Sequence, residues 1–433
     1  MTPITTTIAA ASVLAASLAG AFAGSALAQE KIQLEVFHAW PSHQRFHKPI
    51  AEAFMAENPD IEIIFRAPGA DYGVAHLAVL RGSLSDDMPD VYHSGLNLVA
   101  PLGRILSERG VILPIDDLVA AEGEGWVEAN YEPNILALGR VDGVLYGLPF
   151  NASTPIVHYN ATLIREAGYD PANLPTNWDE LIELAGKING LGDDIFGMSY
   201  DVHDFWDDWL FQALIKQQGG TMMNADETAV GWNNEIGMNA VELAVRFVKE
   251  GGMPLVTKEE STTLFCAGKK GMHFTSTAGV RGYAECSEGN FEYVTGLYPV
   301  ANTDTGGIAT GGNVAVILAS DPEKQAAAWR YLKFISGPAA QEMAVLATGY
   351  MPTNKLATGP DFLGDHYEQN PNWVTSINQV RVAQPYYGYP GTNGVKIGRV
   401  QMEIFFELMA GDIEPDEALE ALVEETEALL PKD

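Results

Sequence analysis

Between Tyr146 and Asn160 the chain reads Tyr-Gly-Leu-Pro-Phe-Asn-Ala-Ser-Thr-Pro-Ile-Val-His-Tyr-Asn. Three small polar side chains, Asn151, Ser153 and Thr154, interrupt what is otherwise β-forming sequence. β-Branched and aromatic residues favour pleated backbone, so a strand is expected on each side of the break. Two strands flanking a short polar joint suit a chain that crosses between two lobes, leaving N–H groups and hydroxyls facing a cleft. Taken alone, the segment also fits a single buried strand with a polar bend. The order of the other segments favours the crossing.

At 433 residues the chain is too long for one small core, and two large lobes are expected. Hydrophobic residues make up 47%, which fits a folded chain and not a disordered one. The formal net charge is -32, whereas nucleic acids and anionic membranes call for a basic footprint. Both are therefore excluded as partners. An anionic small ligand is not, because a closed pocket can differ in sign from the surface.

Residues 1–28 carry no charged side chain and end in Ala26-Leu27-Ala28, as a signal peptide would, although basic residues are missing from its start. No cysteine follows that site, and no later apolar run is long enough to span a bilayer. Export to the periplasm without direct membrane insertion is expected. In an oxidising compartment Cys266 and Cys286 are expected to form a disulfide, with two buried thiols as the alternative.

A strand at 32–37, a helix at 47–57 and a strand at 61–65 imply parallel strands in an α/β sheet. A further strand is expected at 88–92. Ligands of such sheets sit beyond the carboxyl ends of strands, which makes Trp40, Tyr72 and His93 candidates. The segment 201–214 combines Phe205, Trp206 and Trp209 with Asp204, Asp207 and Asp208, and a surface-acidic helix is its plainer reading. Rings that stack on sugar C–H faces beside carboxylates that accept hydroxyl protons suit a polyol. Ser276-Thr-Ala-Gly279 precedes a helix and offers N–H groups to an anion or hydroxyl. A glycine-rich run, 306–312, leads into the second expected crossing, where Gly312 permits close approach of a ligand. Each candidate also has a plainer reading, as a packed ring or a simple helix cap.

Catalysis finds no support. Ala267-Gly-Lys-Lys lacks the spacing of a nucleotide-binding loop, and there is no His-Glu-x-x-His, Cys-x-x-Cys or nucleophile elbow. Neither an enzymatic activity nor a cofactor or metal is expected.

Several stretches carry a resemblance when taken in order: Glu57-Asn-Pro-Asp60, Leu148-Pro-Phe-Asn-Ala-Ser-Thr-Pro155 with Tyr159-Asn160, Glu260-Ser-Thr262 and Gly311-Gly312. Thr348-Gly-Tyr-Met-Pro352, Asn370-Pro371 and Gly394-Val-Lys-Ile-Gly398 complete it. The chain resembles the periplasmic solute-binding proteins of ABC importers, the family that includes maltose-binding protein, and within it the sn-glycerol-3-phosphate-binding branch. The resemblance implies a two-lobed α/β fold of type II, with hinge-linked lobes and a ligand cleft. Lobe 1 would span 29–148 plus 312–360, and lobe 2 would span 149–311 plus 361–433. It also implies a monomer that delivers a polyol phosphate or sugar to permease subunits. Neutral mono- or oligosaccharides are the alternative ligands, and a secreted glycan or phosphodiester hydrolase is the rival from another class.

On the family's pattern, Tyr72, Ser153, Ser276, Gly312, Tyr350 and one of Trp206 and Trp209 fall on ligand positions. Trp40, Tyr72 and the tryptophan would cover the ligand; Ser153, Thr154, Ser276 and the Gly312 backbone would donate hydrogen bonds. Lys396, with Tyr350, would balance an anionic end. Two departures stand out. Lys396 replaces an arginine, a point charge in place of a planar fork. His93-Ser94-Gly95 occupies the place of an expected carboxylate.

Overall fold

The computed structural model describes residues 31–205 and 207–432; the expected signal segment 1–28 and Trp206 lie outside the described residues. Strand Ile32–Phe37 pairs in parallel with Ile61–Phe65 and with Val91–Gly95. Helix Gln44–Glu57 connects the first two and buries Phe46, His47, Ile50, Ala51 and Phe54 at the spacing of one helical face. Asn58 ends it, its side-chain amide and backbone N–H both donating to the Phe54 carbonyl. The expected parallel unit is present.

The long strand Ile308–Ile317 runs antiparallel to Val91–Gly95 and to Gly147–Ser153, and parallel to Ala383–Pro385. Together these form a six-stranded mixed sheet. A second sheet of four strands runs in the order Tyr293–Gly296, Pro155–Asn160, Lys270–Ser276, Phe196–Ser199. Gly147–Ser153 belongs to the larger sheet and Pro155–Asn160 to the smaller, so Thr154 alone joins them. The molecule is a two-lobed α/β fold, and the polar break seen in sequence is one of its crossings.

One element differs from expectation. The third strand is Val91–Gly95 and not 88–92, so His93 lies within the sheet, opposite Ala315. In the segment 201–214 the helix begins only at Trp209, and it ends at Lys216. The C-terminal helices Gly394–Ala410 and Pro415–Ala428 both pack on helix Glu235–Lys249. Cys266 and Cys286 are disulfide-bonded, with a Cα–Cα separation of 5.4 Å. No helix among the described residues is long and apolar enough to cross a membrane.

Candidate functional site

A cavity of about 380 Å³ opens between the two sheets, within the range of small-molecule sites. The larger-sheet side supplies Trp40, His43, Tyr72, Ser153 and Tyr350; the smaller-sheet side supplies Phe205, Asp207, Trp209, Lys258, Ser276 and Tyr283. A wider hollow of about 610 Å³ lies elsewhere, between Glu132 and Arg381. Its lining contains no aromatic ring, and a sugar or polyol has nothing to stack on there.

Trp40 takes φ 64°, and its backbone N–H donates to the Gly69 carbonyl at 2.8 Å. Its ring meets Tyr72 edge-on, with centroids 5.9 Å apart. Tyr72 opens helix Tyr72–Gly82, which Asp71 caps by accepting from the Val74 N–H at 2.7 Å. The Tyr72 hydroxyl accepts from Asn313 Nδ2 at 3.2 Å. Burial raises its pKa above the ordinary phenol value, so the hydroxyl stays neutral. Tyr350 follows the left-handed Gly349 that ends helix Pro338–Thr348, and its hydroxyl lies 3.4 Å from His43 Nε2.

On the opposite wall, Trp209 Nε1 donates to the Ala309 carbonyl at 2.9 Å, which fixes the indole against the Gly311 backbone. Asp207 accepts from the Trp209 backbone N–H at 3.1 Å. Burial and the neighbouring Asp208 push the Asp207 pKa up to about 7. Near neutral pH this carboxyl therefore donates as well as accepts. Ser276 caps the turn that follows its strand, with Oγ accepting from the Ala278 N–H at 3.1 Å.

Three sequence candidates among the described residues are not brought to the cavity. His93 is fully buried inside its strand, with Nδ1 3.0 Å from Asn313 Oδ1; it supports the Asn313–Tyr72 contact from behind. Thr154 is also fully buried and accepts from Gln379 Nε2, because side chains alternate and Ser153 takes the cavity face. Lys396 is exposed on the first turn of helix Gly394–Ala410 and does not line the cavity. Trp206 lies outside the described residues.

Lys258 is the lysine that does line it, and sequence reading missed it. A capping box between Thr257 and Glu260 starts helix Lys258–Cys266 there, and that box was the available signal. Lys258 Nζ lies 5.7 Å from the centroid of the Phe205 ring. Burial lowers its pKa, against the raising influence of Glu259, Asp201 and Asp204.

Behind the larger-sheet wall lies a cluster of imidazoles. Ring centroids of His38 and His47 are 4.1 Å apart, those of His47 and His93 4.7 Å, and those of His43 and His47 6.5 Å. Nε2 of His38, His47 and His93 has no partner among the described residues. Burial lowers all four pKa values, those of His43 and His93 to about 3, and the rings sit neutral. An unfolded imidazole takes up its proton near pH 6.5, whereas His47 in the fold does not until far lower. Below pH 6.5 the unfolded state thus binds more protons, and stability falls as pH falls. From pH 7 to pH 5 the His47 ring costs about 2 kcal/mol. His47→Phe is expected to lose about 2 kcal/mol less than the wild type over that interval, read from urea melts at both pH values. Parallel pH profiles for the two proteins would sink this assignment.

Residues 40–342 match the family model described as bacterial extracellular solute-binding protein. The chain is 24% identical over 406 residues to the sn-glycerol-3-phosphate-binding periplasmic protein UgpB of Escherichia coli (strain K12), covering 88% of each. Among solved structures, UgpB of Mycobacterium tuberculosis in complex with glycerophosphocholine superposes with a TM-score of 0.78 at 18% identity, covering 92% of this chain and 98% of that one. The sugar-binding protein MalE of Xanthomonas citri gives a TM-score of 0.76 at 19% identity, covering 92% and 97%.

Proposed function

Because this chain belongs to the bacterial extracellular solute-binding protein family, we propose that it is a periplasmic component of an ABC importer. It binds a small polyol or sugar that carries an anionic group, such as a glycerol phosphate or glycerophosphodiester, and presents it to a permease. The lobes, joined at Thr154 and not at the expected 148/149 boundary because Gly147–Ser153 pairs within the larger sheet, close on the ligand by hinge motion. The observation that carries this reading is a cavity between two sheets that pairs aromatic walls with one ammonium, Lys258. Trp40, Tyr72 and Trp209 cover the polyol carbons, Ser153, Ser276 and Asp207 meet its hydroxyls, and Lys258 meets the anion. Covalent chemistry plays no part.

Neutral sugars are the second reading, favoured by Glu259 and Asp207 in the same lining, since carboxyl groups suit hydroxyls better than phosphate. Calorimetric titration with glycerol 3-phosphate, glycerophosphocholine and maltose separates the two. Lys258→Ala is expected to weaken the anionic ligands by about 10- to 100-fold, the value of one charge-assisted hydrogen bond. Lys396→Ala is expected to leave them unchanged. Binding of maltose alone would overturn the anionic reading, and recovery of hydrolysed ligand would overturn the binding role.

A further inference from the structure

A second cavity, of about 400 Å³, lies at the far end of helix Trp209–Lys216 and shares no lining residue with the ligand cleft. Lys216 lines it together with Thr221, Thr305, Gln384 and the methionines 222 and 223. None of its lining residues is acidic, in a chain with 57 Asp and Glu against 25 Lys and Arg.

Lys216 is only 9% exposed, and its ammonium makes no hydrogen bond or ion pair to any described residue. The reason is visible along the helix. Asp208, Gln212 and Lys216 recur every four residues and share one face. Asp208 spends Oδ2 on Gln212 Nε2 at 2.9 Å and Oδ1 on the Tyr386 hydroxyl at 2.8 Å. Gln212 in turn pairs with the backbone of Tyr387 in both directions, at 3.0 Å each. The ladder is complete without the lysine. Burial lowers the Lys216 pKa to about 8, against the raising influence of Asp208, which leaves it mostly charged at neutral pH. A largely buried cation with no hydrogen-bond acceptor among the described residues is costly, and here it borders a cavity wide enough to admit one.

We propose that this cavity is a second binding site, for a small oxyanion, with the Lys216 ammonium as its counter-charge and the hydroxyls of Thr221 and Thr305 as flanking donors. The ligand is a phosphate or carboxylate group, free or borne by a small metabolite.

The test is calorimetric titration of ligand-free protein with inorganic phosphate and, separately, with acetate. The Lys258→Ala variant is expected to saturate with at least one of these anions, since its cleft lysine is gone. Adding Lys216→Met to it is expected to weaken that uptake at least about tenfold, while Lys216→Met alone keeps cleft binding and melts higher because an unpaired charge has left the interior. Lys216→Gln replaces the methionine variant if that one does not fold. Saturation by phosphate alone assigns a phosphoryl site, and saturation by acetate assigns a carboxylate site. Equal anion uptake with and without Lys216, or no saturable uptake by the Lys258→Ala protein, would overturn the proposal.

Discussion

Gly312→Ala is expected to abolish ligand binding and to cost the fold about 3 kcal/mol or more. Gly312 sits at φ 122°, a conformation that side-chain-bearing residues rarely adopt. An added Cβ would also fall on the carbonyl oxygen of Asn151, which belongs to the neighbouring strand. That oxygen cannot retreat cheaply. Asn151 is paired with Asn313, whose backbone N–H and side-chain amide both donate to Asn151 Oδ1, at 2.9 and 3.1 Å. The strand register shifts immediately after Asn313, so the strain is passed to the residue that holds the Tyr72 hydroxyl. Gly311→Ala is the informative neighbour. Its Cβ would meet Ser153 Oγ at 3.0 Å and the Trp209 ring at 3.1 Å, which are side chains able to yield. A weaker ligand and a smaller stability loss are expected there. Urea melts and calorimetry on both variants check the pair, and wild-type affinity in Gly312→Ala would show that the backbone at this crossing is not part of the site.

The crossing was legible because its signal is local: Asn151, Ser153 and Thr154 break an otherwise β-forming run, whatever the rest of the chain does. Which of the three faces the cavity was less accessible, since it depends on where the larger sheet ends; it ends at Ser153, and Thr154 turns away. His93 illustrates the same limit. A strand assigned three residues early placed it in a loop, whereas pairing with Ala315 draws it into the sheet interior. Pairing partners hundreds of residues apart leave no trace in local propensity. The lysine that lines the cavity is hidden in the sequence for a related reason. Lys396 was selected by its place in a family pattern, but the helix containing it presents Ile397, Gly398 and Gln401 inward and leaves the lysine in solvent. Lys258 takes the cavity position because the capping box starts its helix at the rim, a geometry that only the packed lobe defines.

Replacing Cys266 and Cys286 with serine is expected to destabilise the protein by about 3 kcal/mol, the closure entropy of a loop of this size. The bridge spans 20 residues of sequence. It ties the end of helix Lys258–Cys266 to helix Val280–Ser287, and these two elements carry Lys258 and Tyr283 to the cavity. At about 2–4 °C per kcal/mol, the melting midpoint should fall by several degrees. Affinity is expected to change far less. The packing of Phe265, Tyr283 and Tyr293 around the bridge remains without it, and the Tyr283 hydroxyl is still 2.9 Å from His273 Nε2. If the bridge acts mainly on the unfolded chain, the double variant melts early yet binds within about threefold of wild type well below its midpoint. An unchanged midpoint would remove the stabilising role. A large loss of affinity at full folding would instead mean that the bridge holds Lys258 and Tyr283 in register, and reductant added to the wild type would then release bound ligand without unfolding the protein.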